Sequence, residues 1–491
     1  MHAERQQESR TGRAAAERLT RAEDTTGDML PSGAGPGAWT AFDQAVRDLR
    51  RPGHPCGHLA LRLCHPDGRT RASALNAPHP PLPLVAIRCA DWVPAVRERA
   101  RQLLDRALAE DPAGTLSALT PLVLRLGGRE QGGWALERFE AALRADGKVL
   151  AGLRDSPDLR TRRFAARLSL EIEGFDVREL ARRAAAEHDP VAGQLWTDAA
   201  LAVMTTAIHG GSVDGGAVHG GAVDGGAVHG GAVDQAVDIL RGGRLPLVRA
   251  AGVTALRRAG RAGEGVAHLA DRSGFVRACA RWLVRQDGGD PYALCREAVE
   301  DPGRVSAHTV TGFAECAVPE DVPLLRALLA HPAEQVRAAA VGALRLLGTP
   351  DLELLRPLLD DPSPMVAREA SLSLRSTAGR LPAEWLLARI APDRPAHTRR
   401  AAYRVLRARG GVAGLRASVE LLTHDDPSLR RSAKRYVHNT FTWDGLADLP
   451  AGDPEVGALL DRCAWMFNDW VVVWLRSQLG LPRGESATGG Y

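Results

Sequence analysis

The chain has 491 residues, of which 45% are apolar, 4% aromatic and 25% charged, with a formal net charge of +4. That length exceeds one ordinary domain and needs either several cores or one core that grows by repetition. The apolar share excludes an intrinsically disordered chain, and a net charge this small identifies no partner by itself. Lys148 and Lys434 are the only lysines, so 61 of the 63 basic residues are arginine, a bias that GC-rich coding explains well. Seven scattered cysteines without C-x-x-C spacing fit a reducing cytoplasm better than a disulfide framework. The N-terminus has no apolar core of a signal peptide, and the run from Trp470 to Leu475 is too short to span a bilayer. A cytoplasmic protein without a membrane segment is expected.

In chain order, residues 1–37 are polar, end in PSGAGPG and read as a disordered arm. Residues 38–208 form a block of divergent helical repeats, residues 236–440 a block of regular ones. The repeat shows in HPAEQVRAAAVGALRLLG from His331 and DRSGFVRACARWLVRQ from Asp271: a polar turn, Val-Arg, Ala three residues later, then an apolar residue. Taking the first apolar or Thr position of that helix as an anchor gives Thr70, Val96, Thr161, Leu195, Val248, Val276, Val305, Val336, Val366, Thr398 and Leu429. A weak unit around Trp134 fills one gap. From Val248 the spacings are 28, 29, 31, 30, 32 and 31 residues. Ala at position 4 and an apolar residue at position 8 complete one helical stripe with the anchor. A second apolar helix, such as DVPLLRALLA or DLELLRPLLD, lies between anchors, so each unit is a helical hairpin with one face left for its neighbours.

Residues 209–235 are a Gly-rich tandem in which His209, His219 and His229 alternate with Asp214, Asp224 and Asp234, and read as an unordered, tolerated loop and not as a metal comb. Residues 441–481 are read as capping helices over the end of the core, with a separate docking patch as the other reading of their Trp and Val content. Residues 482–491 are read as a disordered tail.

This pattern resembles the HEAT-repeat family, in particular its phycobilisome-lyase-type HEAT-like repeats, over roughly residues 55–440. The resemblance implies an all-α fold, a right-handed α-solenoid of about 11–12 hairpins. It also implies a polar ladder between stacked repeats, carried here by Asp91, Val96 and Arg97 and by Asp271, Val276 and Arg277, and second helices that line a concave face. The units at Thr161, Leu195 and Val305 depart from the pattern, which leaves their boundaries open.

The sequence carries no phosphate-loop, dinucleotide, nucleophile-elbow or H-E-x-x-H motif. His54, Cys56, His58, Cys64 and His65 are residue types that suit zinc, but no second pair follows at finger spacing. No metal and no cofactor are expected. The charge pattern says more. With core positions 0, 4 and 8 centred near 40°, position 9, at about 180°, points away from the core. It holds Arg257, Arg285, Arg345, Arg375 and Arg407, then His438, and nearby outward positions add Arg281, Arg368, Arg400, Arg404, Arg431, Lys434 and Arg435. Glu369 is the only acid on these six second helices. The arginines form either a binding stripe or the ordinary solvation of helix ends. Arg97, Arg249, Arg277, Arg337, Arg399 and Arg430, at position 1, fit an inter-repeat ladder. The function expected is a non-catalytic scaffold that grips an acidic protein or peptide. The alternative is nucleic-acid binding, since HEAT-like alkylpurine DNA glycosylases share the architecture and basic face. Their catalytic carboxylate and aromatics find no match here. Bilin lyase activity rests on the repeat's family name alone.

Overall fold

In a computed structural model, residues 2–21, 30, 34–49, 57–210, 225–348, 351–442 and 444–482 are described. These residues contain helices, turns and bends and no strand, as an all-α solenoid of stacked helical hairpins requires. The chain forms two compact units, Met1–Ala259 and Gly260–Tyr491.

The first unit contains α1 (His2–Arg21), α2 (Pro36–Leu49), α3 (Gly68–Ala74), α4 (Leu82–Arg88), α5 (Pro94–Glu110), α6 (Pro112–Leu126), α7 (Leu159–Ile172), α8 (Val177–Ala186), α9 (Pro190–Gly210), α10 (Gly225–Arg241) and α11 (Pro246–Arg258), among shorter helices. The second contains α12 (Gly274–Gln286), α13 (Pro291–Glu300), α14 (Ala307–Ala314), α15 (Glu334–Leu346), α16 (Pro364–Ser373), α17 (Ala396–Arg409), α18 (Gly411–Glu420), α19 (Pro427–Thr442), α20 (Pro454–Cys463) and α21 (Asp469–Gln478), again with short helices between. Helix starts follow local chemistry. Asp67, Asp111, Asp158, Asp176, Asp290 and Asp453 each accept a backbone N–H of the first turn, and Pro94, Pro112, Pro246 and Pro364 occupy the first position. Several first helices of the hairpins tighten into a 3₁₀ turn before the next helix, as at Leu328–Ala330 and Leu421–Thr423.

The predicted stripe is the core. Anchors Val96, Thr161, Val248, Val276, Val336, Val366, Thr398 and Leu429 are buried, and so are Ala100, Ala165, Ala280, Ala340, Ala370, Ala402 and Ala433 four residues on. Leu104, Leu256, Val284, Leu344, Leu374, Leu406 and Val437 close the third position. Three anchors need correction. Thr70 is half exposed, and the buried residues of α3 are Arg71 and Ala74. Leu195 is half exposed, and Ala192, Trp196, Ala200 and Met204 form the buried stripe of α9, one residue out of the expected register. Val305 precedes α14, whose core residues are Val310, Phe313 and Ala314.

Three domain assignments also change. The segment read as a disordered arm contains α1, which buries Ala15, Ala16 and Leu19 against the neighbouring helices. Gly12 makes this possible: a Cβ there would stand 2.2 Å from the Ala38 carbonyl oxygen of α2, so only glycine permits the approach. Part of the Gly-rich tandem is helical as the start of α10, and Val233, Ala236, Val237 and Leu240 bury one face of that helix; residues 211–224 lie outside the described ones. The boundary between compact units falls after Ala259, not at the tandem, because α10 packs on α8 and α11 within the first unit. In the C-terminal segment α20 buries Val456, Leu459, Leu460 and Cys463 and acts as a cap on α18. Helix α21 buries only Leu475 of its ten residues and leaves Trp470, Val473 and Trp474 exposed. Residues 483–491, part of the expected tail, lie outside the described ones.

Candidate functional site

Arginines do two jobs in this chain, and position in the repeat sorts them. At position 1, Arg71, Arg97, Arg249, Arg277, Arg337 and Arg430 each donate from Nη1 to the backbone carbonyl six residues upstream, at 2.6–3.1 Å. The guanidinium thereby pins the turn that opens its own helix. The other side of the same group often reaches the following repeat. Arg71 makes a two-point bond to Asp91 (2.9 and 2.8 Å), and Arg337 one to Asp361 (3.2 and 3.0 Å). From position 2, Arg163 holds Asp189 and Arg400 holds Asp426 in the same way. The inter-repeat ladder is therefore present, with the acid donated by the next turn along the chain. The carboxylate of Asp91 serves Arg71 and Arg88, while Arg97 takes its main-chain oxygen.

In the first unit this ladder ends in a buried ionic cluster that nothing in the spacing announces. Arg71, Arg88, Asp91 and Asp43 are all nearly inaccessible, and Arg88 bridges Asp91 at 3.1 Å and Asp43 across 45 residues of sequence. Burial pushes the Asp91 carboxyl up. Hydrogen bonds from Arg71 and the Val93 amide, with the charges of Arg88 and Arg71, outweigh it and hold the group below the ordinary 3.8. Burial drives the neighbouring Cys64 thiol well up. His65 Nδ1 accepts the Asp67 amide at 3.0 Å and His58 Nδ1 that of Ala60 at 3.3 Å, so both histidines serve their turns. His54 and Cys56 of the candidate zinc set lie outside the described residues.

The outward arginines behave differently. Arg257, in the first unit, is exposed at the end of α11. The others belong to the second unit. Arg281 pairs with Glu315 at 2.5 Å, Arg345 with Glu369 at 2.9 Å, Arg368 with Glu369 at 2.8 Å, and Arg400 with Asp426 at 2.6 Å. Arg404 donates to Ser371 Oγ, and Arg407 to Ser432 Oγ with its guanidinium 5.8 Å from the Tyr436 ring. Arg285, Arg375 and Arg431 are exposed and make no ion pair among the described residues. The expected stripe is thus partly internal, since half of its members tie one second helix to the next.

Its middle keeps a surplus of charge. Arg404 is half-buried on α17, and burial lowers its pKa, with the charges of Arg368, Arg375 and Arg407 pressing the same way against Glu369 alone. Glu369 itself is bonded by Arg345 and Arg368. Farther along, Lys434 lies over the exposed Trp465 ring at 5.2 Å, and His438 stacks on Phe467. The basic column therefore ends against aromatic side chains, a juxtaposition that sequence could not supply because residues 464–467 return from beyond the last repeat. In the first unit, a cavity of about 920 Å³ lies among Trp39, Leu82, Ala118, Leu119 and Leu122, and no arginine lines it. Among the described residues no group of three or more His, Cys, Asp or Glu is arranged to hold a metal ion, and no helix is long and apolar enough to cross a membrane.

Residues 293–375 match the family model for HEAT repeats. No curated protein matches the chain. Among solved structures, one engineered protein from the Northeast Structural Genomics Consortium aligns at 16% identity and a TM-score of 0.22, over 87% of this chain and 98% of its own. A second from the same consortium aligns at 18% identity and a TM-score of 0.14, over 59% and 94%.

Proposed function

We propose that this HEAT-repeat chain is a non-catalytic, cytoplasmic scaffold that holds an acidic protein or peptide on the basic face of its second unit. HEAT repeats make helical scaffolds for protein interaction, and the coarse reading follows from the matched repeats. The observation that carries the finer one is the arginine surplus around Glu369. Arg345 and Arg368 both bond Glu369, and Arg404 beside it lies in the field of Arg368, Arg375 and Arg407, whereas Arg163, Arg337 and Arg400 each hold an acid of the next turn. A carboxylate-rich partner would supply the missing charge through two-point bonds. Arg375 and Arg431 are already exposed for that purpose, and Trp465 offers an apolar anchor beside Lys434.

The test is charge reversal at the arginines that hold nothing else. Arg285→Glu, Arg375→Glu and Arg431→Glu together should abolish binding of a fluorescent oligoglutamate peptide, read by anisotropy, with circular dichroism and melting temperature unchanged. Exposed substitutions rarely move stability by more than about 0.5 kcal/mol each. Binding of a mixed-sequence oligonucleotide in preference to the peptide, with affinity falling steeply with salt, would replace the acidic-protein reading with a nucleic-acid one. Binding of neither, or unchanged binding by the triple variant, would return the arginines to ordinary surface solvation.

A further inference from the structure

The cavity of about 920 Å³ in the first unit has the volume of pockets that enclose drug-sized molecules. Four helices and one turn build its walls. Helix α2 brings Trp39, α4 brings Leu82, and α6 brings Ala118, Leu119, Pro121 and Leu122. The junction of α5 and α6 adds Glu110 and Asp111, and the turn before α7 adds Asp158. Leu119 and Leu122 belong to the core of this unit, and Trp39 and Leu82 pack against that core. The apolar wall is therefore held in place by the fold itself, with no ligand needed to assemble it.

Charge selects what such a wall would take. The chain has 63 basic residues, yet none lines this cavity, whereas three carboxylates do. Glu110 is exposed and holds no hydrogen bond or ion pair among the described residues. Asp111 spends one oxygen on the Gly114 amide at 2.9 Å, and Asp158 spends one on the amide and hydroxyl of Thr161 at 2.9 and 2.8 Å. Each keeps its second oxygen. Pro121 lies inside α6 and lacks the N–H that would bond the Ser117 carbonyl, and both residues line the cavity. The only hydroxyls on the wall are those of Thr115, Ser117 and Ser156, and that of Thr115 is taken by the Ala107 carbonyl. An organic anion would meet three carboxylates here and no guanidinium. A metal ion is not served either, since no group of three or more His, Cys, Asp or Glu among the described residues is arranged to hold one. Acidic groups spread around an apolar wall with an aromatic ring suit a cation that carries its charge on a carbon body.

We propose that this cavity binds a hydrophobic organic cation, a drug-sized apolar body with one positively charged nitrogen. The body lies against Trp39, Leu82, Leu119 and Leu122, and its burial supplies most of the affinity. The charged nitrogen takes the unspent carboxylate oxygens, that of Glu110 first because Glu110 holds nothing else. Those groups face water, so they contribute selectivity over neutral and anionic molecules more than binding strength. This site stands independently of what the basic face of the second unit binds.

The full chain tests it with three fluorescent probes: a styrylpyridinium cation, its neutral styrylpyridine parent at mildly alkaline pH, and the anion anilinonaphthalene sulfonate. The cation should bind saturably with one site per chain, and the neutral parent more weakly by about fivefold, the worth of one exposed charge pair. The anion should bind more weakly still. Glu110→Gln should weaken the cation by about the same factor and leave the neutral parent unchanged, a split that damage to the wall would not give. Ala118→Arg, at an exposed position of the wall, should abolish cation binding with the circular dichroism spectrum unaltered. Equal affinity for anion and cation would reduce the cavity to an ordinary apolar cleft and overturn the proposal. So would cation binding that survives Ala118→Arg, which would put the probe on another surface, or a Glu110→Gln chain that binds the cation as tightly as the unaltered one.

Discussion

Replacing Asp91 with asparagine removes one charge from a site that cannot admit water to compensate. The carboxylate accepts from Arg71 at 2.9 and 2.8 Å, from Arg88 at 3.1 Å and from the Val93 amide at 3.0 Å, and its side chain is 0% exposed. Asparagine keeps the volume but turns a hydrogen-bond donor toward two guanidinium groups, leaving Arg88 with Asp43 and Arg71 with the carbonyls of His65 and Pro66. Breaking a buried ion pair from one side costs about 3–5 kcal/mol. For a body the size of the first unit that is a fall in melting temperature on the order of 10 °C. Because Asp91 is held below the ordinary 3.8 in the fold, its contribution is complete above that value and is lost as the pH falls through the depressed one. Acid unfolding of the first unit should therefore be shallower in the variant, which has no such proton to bind. Urea titrations at neutral pH and at several acidic values, followed by a probe in the first unit, measure both effects. Arg71→Met combined with Asp91→Leu should recover much of the loss, because apolar replacement of a buried pair is often neutral or stabilising. A loss below about 1 kcal/mol for Asp91→Asn, or an unchanged acid profile, would refute the claim that this cluster is a net stabiliser in the ionised form.

Leu240→Ala in α10 should cost about 2–5 kcal/mol, measured by urea unfolding of the first unit, because Leu240 is fully buried on a helix that begins inside the Gly-rich tandem. An effect below 1 kcal/mol would return that segment to the unordered loop expected from its composition. Gly12→Val should undock α1, since its Cβ has no room beside the Ala38 carbonyl oxygen, and limited proteolysis should then cut within His2–Arg21.

The second-helix stripe was legible because it is written in period. Anchors such as Val276, Val336 and Val366 recur with Ala four residues on, and burial follows from helical geometry alone. Weakly periodic units failed in register, as at Leu195, where Trp196 is the larger apolar group and takes the core position. The N-terminal segment failed for a different reason. Its polar composition hid a stripe of Gly12, Ala15, Ala16 and Leu19, whose small members bury little area yet allow two backbones to approach closely. The Asp43–Arg88 bridge spans 45 residues between two helices of unlike register, and no local pattern encodes it.

The arginines show where a one-dimensional pattern stops. A wheel places Arg345 and Arg375 at the same angle, yet Arg345 meets Glu369 on the next second helix and Arg375 meets no acid. The difference lies in the neighbouring repeat: position 3 of the Val366 helix is Glu369, whereas position 3 of the following helix is Ala401. An outward arginine is consumed as an inter-repeat tie wherever the next repeat offers an acid or hydroxyl at that height, and is left for a partner wherever it offers alanine. Angle along one helix thus fixes exposure, and the pairing of consecutive repeats fixes availability. The same rule makes the region of Glu369 informative, because there Arg345 and Arg368 bond the one carboxylate, Arg404 and Arg407 hold serine hydroxyls, and Arg375 makes no ion pair among the described residues.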